Sequence, residues 1–291
     1  METITFKGIG TYWSVSIDES VDDVVELKKT LFEFVADFES RFSRFISSSE
    51  VNQFRKRERG TYPLSAECAL LFSAAHELRT LTHGAFDPAV AGLLEGVGYD
   101  ATYRLTPDES AITSFVPTAW SLSRDQLAID GPVGFDFGGI GKGYCIDRVH
   151  ELLKEKGYHY FIVEAGGDMV ATTKADGSGW RVAIEYPGKP DIALGLVELV
   201  NQGLAVSDSF RRRFGAWHHI VDPRTKAPVT QIIGVAAIAP TAWQADKMTS
   251  GLFLGQPAEY ALLAEKFSSA YLVVTHDGMV QKSINWKGEL F

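Results

Sequence analysis

The 291-residue chain is 45% hydrophobic and 22% charged, an ordinary balance for a soluble globular protein with a large core. Its formal net charge of −9 excludes a general nucleic-acid surface, because attraction to phosphate backbones needs a basic field. An acidic chain that binds an anionic small molecule needs local help from a metal or from backbone N–H groups.

Residues Ile4 to Ile17 alternate enough for one or two strands, with Gly8 and Gly10 marking a bend. Val21 to Phe42 has the spacing of a long amphipathic helix with Ser20 or Asp22 near its start, and Leu64 to Leu81 reads as a second helix. Glu95 to Pro117, carrying Gly, Pro and polar residues, reads as an excursion with short elements. Trp120 to Asp130 alternates as strands, and Ile140 to Lys156 is a helix closed by Gly157. From Tyr160 the pattern is strand after strand: Phe161 to Glu164, Met169 to Thr173, Trp180 to Glu185, Gly195 to Leu199, Leu204 to Ser207, His218 to Val221 and Gly234 to Ala239. Helices near Ala242 to Leu254 and Pro257 to Lys266 precede a strand at Ser269 to Thr275. Helices and strands do not alternate regularly, so the expected class is α+β, with a largely antiparallel sheet, in one domain over 1–291.

The N-terminus, Met1-Glu2-Thr3-Ile4-Thr5-Phe6-Lys7, lacks a basic segment followed by an apolar one, and no run approaches the roughly 18 apolar residues of a membrane helix. The chain as written is therefore expected to be cytoplasmic, without membrane insertion. Cys68 and Cys145 have no CxxC or zinc spacing and are expected to be reduced and structural.

Three segments carry chemistry. Asp246 and Ser250 are spaced i, i+4, which on a helix stacks a carboxylate and a hydroxyl on one face, an all-oxygen pair suited to a hard cation. An Asp in the first turn of a helix equally serves capping. Phe135-Asp136-Phe137-Gly138-Gly139-Ile140-Gly141-Lys142-Gly143 places four glycines ahead of a helix, where free N–H groups attract phosphate. It matches neither GxxxxGK[ST] nor GxGxxG. In His218-His219-Ile220-Val221-Asp222-Pro223-Arg224-Thr225, His219 and Asp222 have the spacing of a base and its orienting carboxylate, or of a structural turn.

Together these segments resemble the FAD:protein FMN transferase family, often called ApbE-like. The resemblance covers nearly the whole chain. It includes Glu39-Ser40-Arg41-Phe42-Ser43-Arg44-Phe45, Gly84-Ala85-Phe86-Asp87-Pro88-Ala89-Val90 and Val163-Glu164-Ala165-Gly166-Gly167-Asp168. It implies a compact, T-fold-like α+β architecture with the FAD site between its parts. The implied reaction uses FAD with Mg²⁺, cuts the pyrophosphate, and joins FMN to a Thr or Ser of an acceptor flavoprotein while AMP leaves. By motif position Asp246 and Ser250 match the metal carboxylate and hydroxyl, and Gly141 the loop carbonyl that completes the metal site. His219 matches the site histidine, placed to accept the acceptor hydroxyl's proton, and Asp222 shapes the turn or orients that imidazole. Gly166, Gly167 and Asp168 match the segment against the nucleotide, and Gly138, Gly139, Glu164 and Ser207 join the expected cofactor-binding set. Lys142 is either near phosphate or a solvated first-turn residue.

The chain also departs from the pattern. The family's Asn near the metal and flavin aligns with Arg55, a larger and permanently charged side chain counted here with the catalytic residues. Arg55 leaves open simple Mg²⁺-dependent hydrolysis of FAD to FMN and AMP; a non-catalytic FAD-binding module is the third reading. Lys247 beside Asp246 is expected on another helix face. Asp208 adds a carboxylate near Ser207. Arg211-Arg212-Arg213 reads as a solvated strand end, or as a contact for an acidic partner.

Overall fold

Alternating strands and capped helices build the fold seen in a computed structural model that describes residues 1–291. The strands of the large sheet are β1 (Glu2–Gly8), β2 (Thr11–Ile17), β3 (Phe161–Ala165), β4 (Asp168–Ala171), β5 (Gln202–Asp208), β6 (Ile232–Ala239), β7 (Ala270–Thr275) and β8 (Val280–Lys282). Their order across the sheet is their order along the chain, and every neighbouring pair is antiparallel. The four long helices are α1 (Val24–Phe42), α2 (Ala66–Leu81), α3 (Gly141–Glu155) and α4 (Ala242–Leu254). The side chains of Asp23, Ser65 and Thr241 cap α1, α2 and α4 by accepting from the backbone N–H groups of Glu26, Cys68 and Gln244.

The sheet is buried on both faces over its middle, which explains its continuous apolar runs. Val170, Ala205, Val235, Ala237 and Val273 face the helices, together with Leu31, Val35, Ile146 and Leu252. The alternate residues Met169, Leu204, Ala236, Ile238, Leu272 and Val274 pack instead with Trp180, Ile184, Leu194 and Val197. Those come from a second, three-stranded sheet of Trp180–Tyr186, Lys189–Leu199 and Glu289–Leu290. Residues after Val90 form short helices at Ala91–Gly96 and Glu109–Ser114 around a separate small core that includes Leu93, Tyr99, Ile112 and Val221. No helix is long and apolar enough to cross a membrane. Cys68 and Cys145 are both free and buried.

Most expected elements are present within a few residues, and one differs in kind. The expected strand from His218 to Val221 is two separate pairs, Trp217–His218 and Val221–Asp222. The His218 ring interrupts the ladder: its Nδ1 accepts from Ile220 N at 3.2 Å, and its Nε2 bonds Val229 O at 2.8 Å. A short 3₁₀ turn at Val51–Lys56 and strands at Gly60–Pro63 and Val280–Lys282 lack a clear periodic signature.

The contact that places the site is between α3 and α4. Each helix offers a carboxylate to the other's N-terminus: Asp147 of α3 accepts from Ala242 N and Trp243 N, both at 2.9 Å, and Asp246 of α4 accepts from Gly143 N at 2.8 Å. Gly143 permits the approach, because a Cβ there would lie 2.6 Å from both Ala242 O and Asp246 Cβ. Gly143→Ala is therefore expected to destabilise the protein by about 1–3 kcal/mol in urea denaturation, despite alanine's better helix propensity. Gly131→Ala, where a Cβ meets nothing within 4 Å, serves as the near-neutral control; equal stability of the two variants would contradict the packing account.

Candidate active site

Asp246 and Ser250 project from successive turns of α4 toward the glycine loop. Ser250 Oγ donates to Gly139 O at 2.6 Å, so the loop carbonyl that meets the hydroxyl is that of Gly139. Gly141, expected to supply a carbonyl to the metal, opens α3, donates its N–H to Phe137 O at 2.7 Å and lines the same cavity. The loop is held from below by Asp136. One of its carboxylate oxygens accepts from Gly138 N and the other pairs with the buried Arg44, whose Nη2 donates to Tyr99 O at 2.6 Å.

Opposite the loop, Gly166 and Gly167 form the two-residue turn between β3 and β4, at φ +58° and +98°. Glu164 accepts from Gly167 N at 2.9 Å and pins this turn from behind, without lining the cavity. Asp168, at the start of β4, is buried. It pairs with Lys142 and accepts from Val206 N at 3.2 Å. Lys142 Nζ also donates to Ala165 O at 2.9 Å, so Lys142 is a fixed strut between α3 and the β3–β4 turn rather than a solvated residue. Ser207 Oγ lies 3.4 Å from Thr249 Oγ1.

These groups surround a cavity of about 660 Å³, within the roughly 300–1,000 Å³ of cofactor and small-molecule sites. Gly138, Gly139, Gly141, Lys142, Gly166, Asp168, Ser207, His219, Asp246 and Ser250 all line it. His219 makes no side-chain hydrogen bond to protein, and its Nδ1 is buried without a partner. Burial, then the charges of Arg212, His218 and Lys142, push its pKa down to about 3, so the imidazole is neutral at ordinary pH.

Two expected site residues lie elsewhere. The Arg55 guanidinium does not reach the cavity. It forms a two-pronged pair with Glu95 (2.6 and 3.0 Å), takes Asn52 Oδ1 at 2.6 Å and packs against Gly134. Asp222 does not orient His219. Its carboxylate is taken by Arg224 N, Nε and Nη2, so it shapes the turn. Arg44, Asp136 and Tyr99 are site residues that sequence reasoning missed. The first two stand inside the quoted motifs, but their pairing across 92 positions has no local signal. Lys247 lies on another face, over the Trp243 and Phe267 rings.

Asp246 is the unusual group. It is buried, and the nearest cation, Lys142, is committed to Asp168. Burial and then the Asp168 charge push Asp246 up to about 7, against the opposing pull of Lys142 and the Gly143 N–H. No cluster of three His, Cys, Asp or Glu side chains is arranged to hold a metal. The oxygen donors present are one carboxylate, one hydroxyl and one carbonyl, which fit a hard divalent cation that completes its shell with phosphate and water. Because the folded pKa lies above the unfolded one, the folded state holds a proton that the unfolded state has lost, and Asp246 increasingly opposes folding as pH rises from about 4 through 7. Asp246→Asn is thus expected to raise metal-free stability at pH 8, by on the order of 2 kcal/mol, and to give no gain near pH 4. Urea titrations at the two pH values check this; a pH-independent difference would contradict it.

The ApbE family model matches residues 9–273. A Klebsiella pneumoniae relative, a FAD:protein FMN transferase, is 27% identical over 289 residues, covering 92% of this chain and 83% of its own. Among solved structures, the flavinyl transferase ApbE of Pseudomonas stutzeri superimposes with a TM-score of 0.81 at 26% identity, over 97% of this chain and 94% of that one. The ApbE protein of Thermotoga maritima gives 0.85 at 25% identity, over 98% of each chain. The matched span contains every wall of the cavity, from Ile9 to Leu254. By its sequence, its antiparallel sheet with flanking helices and its glycine loop set against α4, the chain belongs to the ApbE family.

Proposed function

We propose that this protein transfers FMN from FAD to a Ser or Thr hydroxyl of an acceptor protein, with Mg²⁺ bound at Asp246 and Ser250 and with AMP as the leaving product. The observation that carries the reading is Asp246, a buried carboxylate left without a cation beside two further oxygen donors, in a cavity that also holds a neutral histidine. The whole chain acts as one unit in this reading, because residues from Ile9 to Leu254 wall the cavity.

The acceptor hydroxyl oxygen forms a bond to the flavin-side phosphorus, the bond to the bridging oxygen breaks, and its electron pair leaves on AMP. His219 takes the hydroxyl proton on a ring nitrogen that has no protein partner; burial and three neighbouring cationic groups hold its pKa down to about 3, so it gains basicity only as the bound anion offsets those charges. Bound Mg²⁺ supplies neutralisation of the pyrophosphate charge. Asp246, Ser250 and a glycine-loop carbonyl, of Gly139 or Gly141, would hold it. The Asp136–Arg44 pair keeps the glycine loop in place, and the Gly166-Gly167 turn leaves room for the nucleotide.

The competing reading, hydrolysis of FAD, depends on Arg55 reaching the ligand, and the pairing of Arg55 with Glu95 away from the cavity lining supports transfer instead. The test is to incubate the protein with FAD, MgCl₂ and a Thr-containing acceptor fragment, then measure AMP and acceptor mass. One AMP released per acceptor gaining one FMN unit is the expected result, and AMP with an unmodified acceptor would favour hydrolysis. Asp246→Ala is expected to lower the rate by more than about 100-fold, the scale for loss of a principal electrostatic group. Arg55→Asn is expected to leave the ratio of transfer to hydrolysis unchanged and to cost about 1 kcal/mol of stability; a shifted ratio would return Arg55 to the site.

A further inference from the structure

The charged side chains around the cavity are nearly all paired with one another. Its cationic side chains are Arg44, Lys142, Arg211 and Arg212. Arg44 is held by Asp136, and Lys142 by Asp168. Arg211 is held by Asp208 at 3.1 Å and Glu185 at 2.8 Å, and also donates to Gly166 O. Arg212 differs, since its guanidinium makes no ion pair and no hydrogen bond, although Asp208 stands four residues away. It faces the Tyr99 ring, 6.0 Å from the centroid, and that ring lies 6.4 Å from His219. A free guanidinium is thereby placed on the wall that carries the neutral histidine.

We propose that Arg212 binds the phosphoryl oxygens of the ligand beside His219. The inference rests on the flavin-transfer reading and deepens it by naming the side chain that meets the reacting anion. A guanidinium is planar, always charged and forked, and it matches two phosphoryl oxygens at once. The other cavity cations cannot turn to the ligand without abandoning a carboxylate, at the cost of an unpaired charge. The middle arginine of the basic run is thus a ligand contact, Arg211 a brace, and Arg213, which lies over Phe210 and outside the cavity lining, neither.

The experiment is flavin-fluorescence titration of the full chain with FAD and with riboflavin, which lacks phosphate, in the presence of Mg²⁺ and at two salt concentrations. Arg212→Gln is expected to weaken FAD binding by about tenfold or more, to flatten its salt dependence and to change riboflavin binding less than about twofold. Arg212→Lys is expected to fall between, keeping charge without the fork. Arg213→Gln is expected to match the wild type. Unchanged FAD affinity in Arg212→Gln, or equal loss for FAD and riboflavin, would overturn the proposal; equal loss would mean that Arg212 acts only through the Tyr99 ring. Unchanged FAD affinity with a raised KM for the acceptor would likewise overturn it, assigning Arg212 to the acceptor protein. If the wild type binds no FAD, the flavin-transfer reading itself fails, an outcome distinct from the others.

Discussion

Two helices that cap each other set the position of everything else in the site. α3 lends Asp147 to the first N–H groups of α4, and α4 returns Asp246 to the N–H of Gly143 in α3. In both helices the partners stand four residues apart, 143 with 147 and 242 with 246, so one turn of each helix presents an N–H and a carboxylate to the other. The arrangement satisfies donors that a helix start would otherwise leave open, and it places negative charge where both helix dipoles favour it. It also works only at close range, which explains a glycine at 143. Once α4 is docked this way, Ser250 meets the Gly139 carbonyl one turn further along.

The same contact creates the site's electrostatic imbalance. Asp147 and Asp246 are both held by backbone N–H groups, yet only Asp246 also faces a second carboxylate, Asp168, across the cavity. Lys142 is satisfied by Asp168 and the Ala165 carbonyl. Glu39 at the rim is met only by the Ile9 N–H, and among the groups facing the loop what remains after pairing is one buried carboxylate, Asp246, on the α4 side and one free guanidinium on the His219 side. A dianionic pyrophosphate entering a cavity with more carboxylates than cations would be repelled unless both remainders are used, the carboxylate through a bound cation and the guanidinium directly. An acidic protein can in this way hold an acidic ligand without a basic surface.

The sequence carried the local half of this. Helix starts are legible to within a few residues because a cap is a short-range hydrogen bond between neighbours: α1 is capped by Asp23 in place of the expected Ser20 or Asp22, and α2 by Ser65, one residue inside the expected start. The spacing of Asp246 and Ser250, and the choice of His219 over His218, followed from motif position; the structure puts His219 on the cavity and His218 in the hairpin, bonded to Val229 O. What stayed hidden is the long-range half. The Arg44–Asp136 pair, the partner of Lys142 and the face of the sheet each strand residue occupies depend on tertiary pairing. The contact of Ser250 with the Gly139 carbonyl has the same origin, since it joins residues 111 positions apart.

Arg55 and Arg212 show why a charge in a motif cannot be interpreted without its partner. Arg55 stands in a motif whose family resemblance implies a residue close to the ligand. Its fork is instead closed by Glu95, and the same Glu95 lies 3.7 Å from Arg44, which holds Asp136 and through it Gly138. The substitution therefore acts as a brace one layer behind the loop. Arg212 sits in a run that reads as ordinary solvated surface, yet it is the cavity cation with nothing bound to it. Desolvation makes an unpaired charge costly in proportion to its burial. An arginine near a cavity can therefore remain unpaired only where it stays exposed, and Arg212 is exposed while Arg44 is buried. The fold thus spends its buried arginine on structure and keeps an exposed one available at the cavity mouth, where a ligand can reach it.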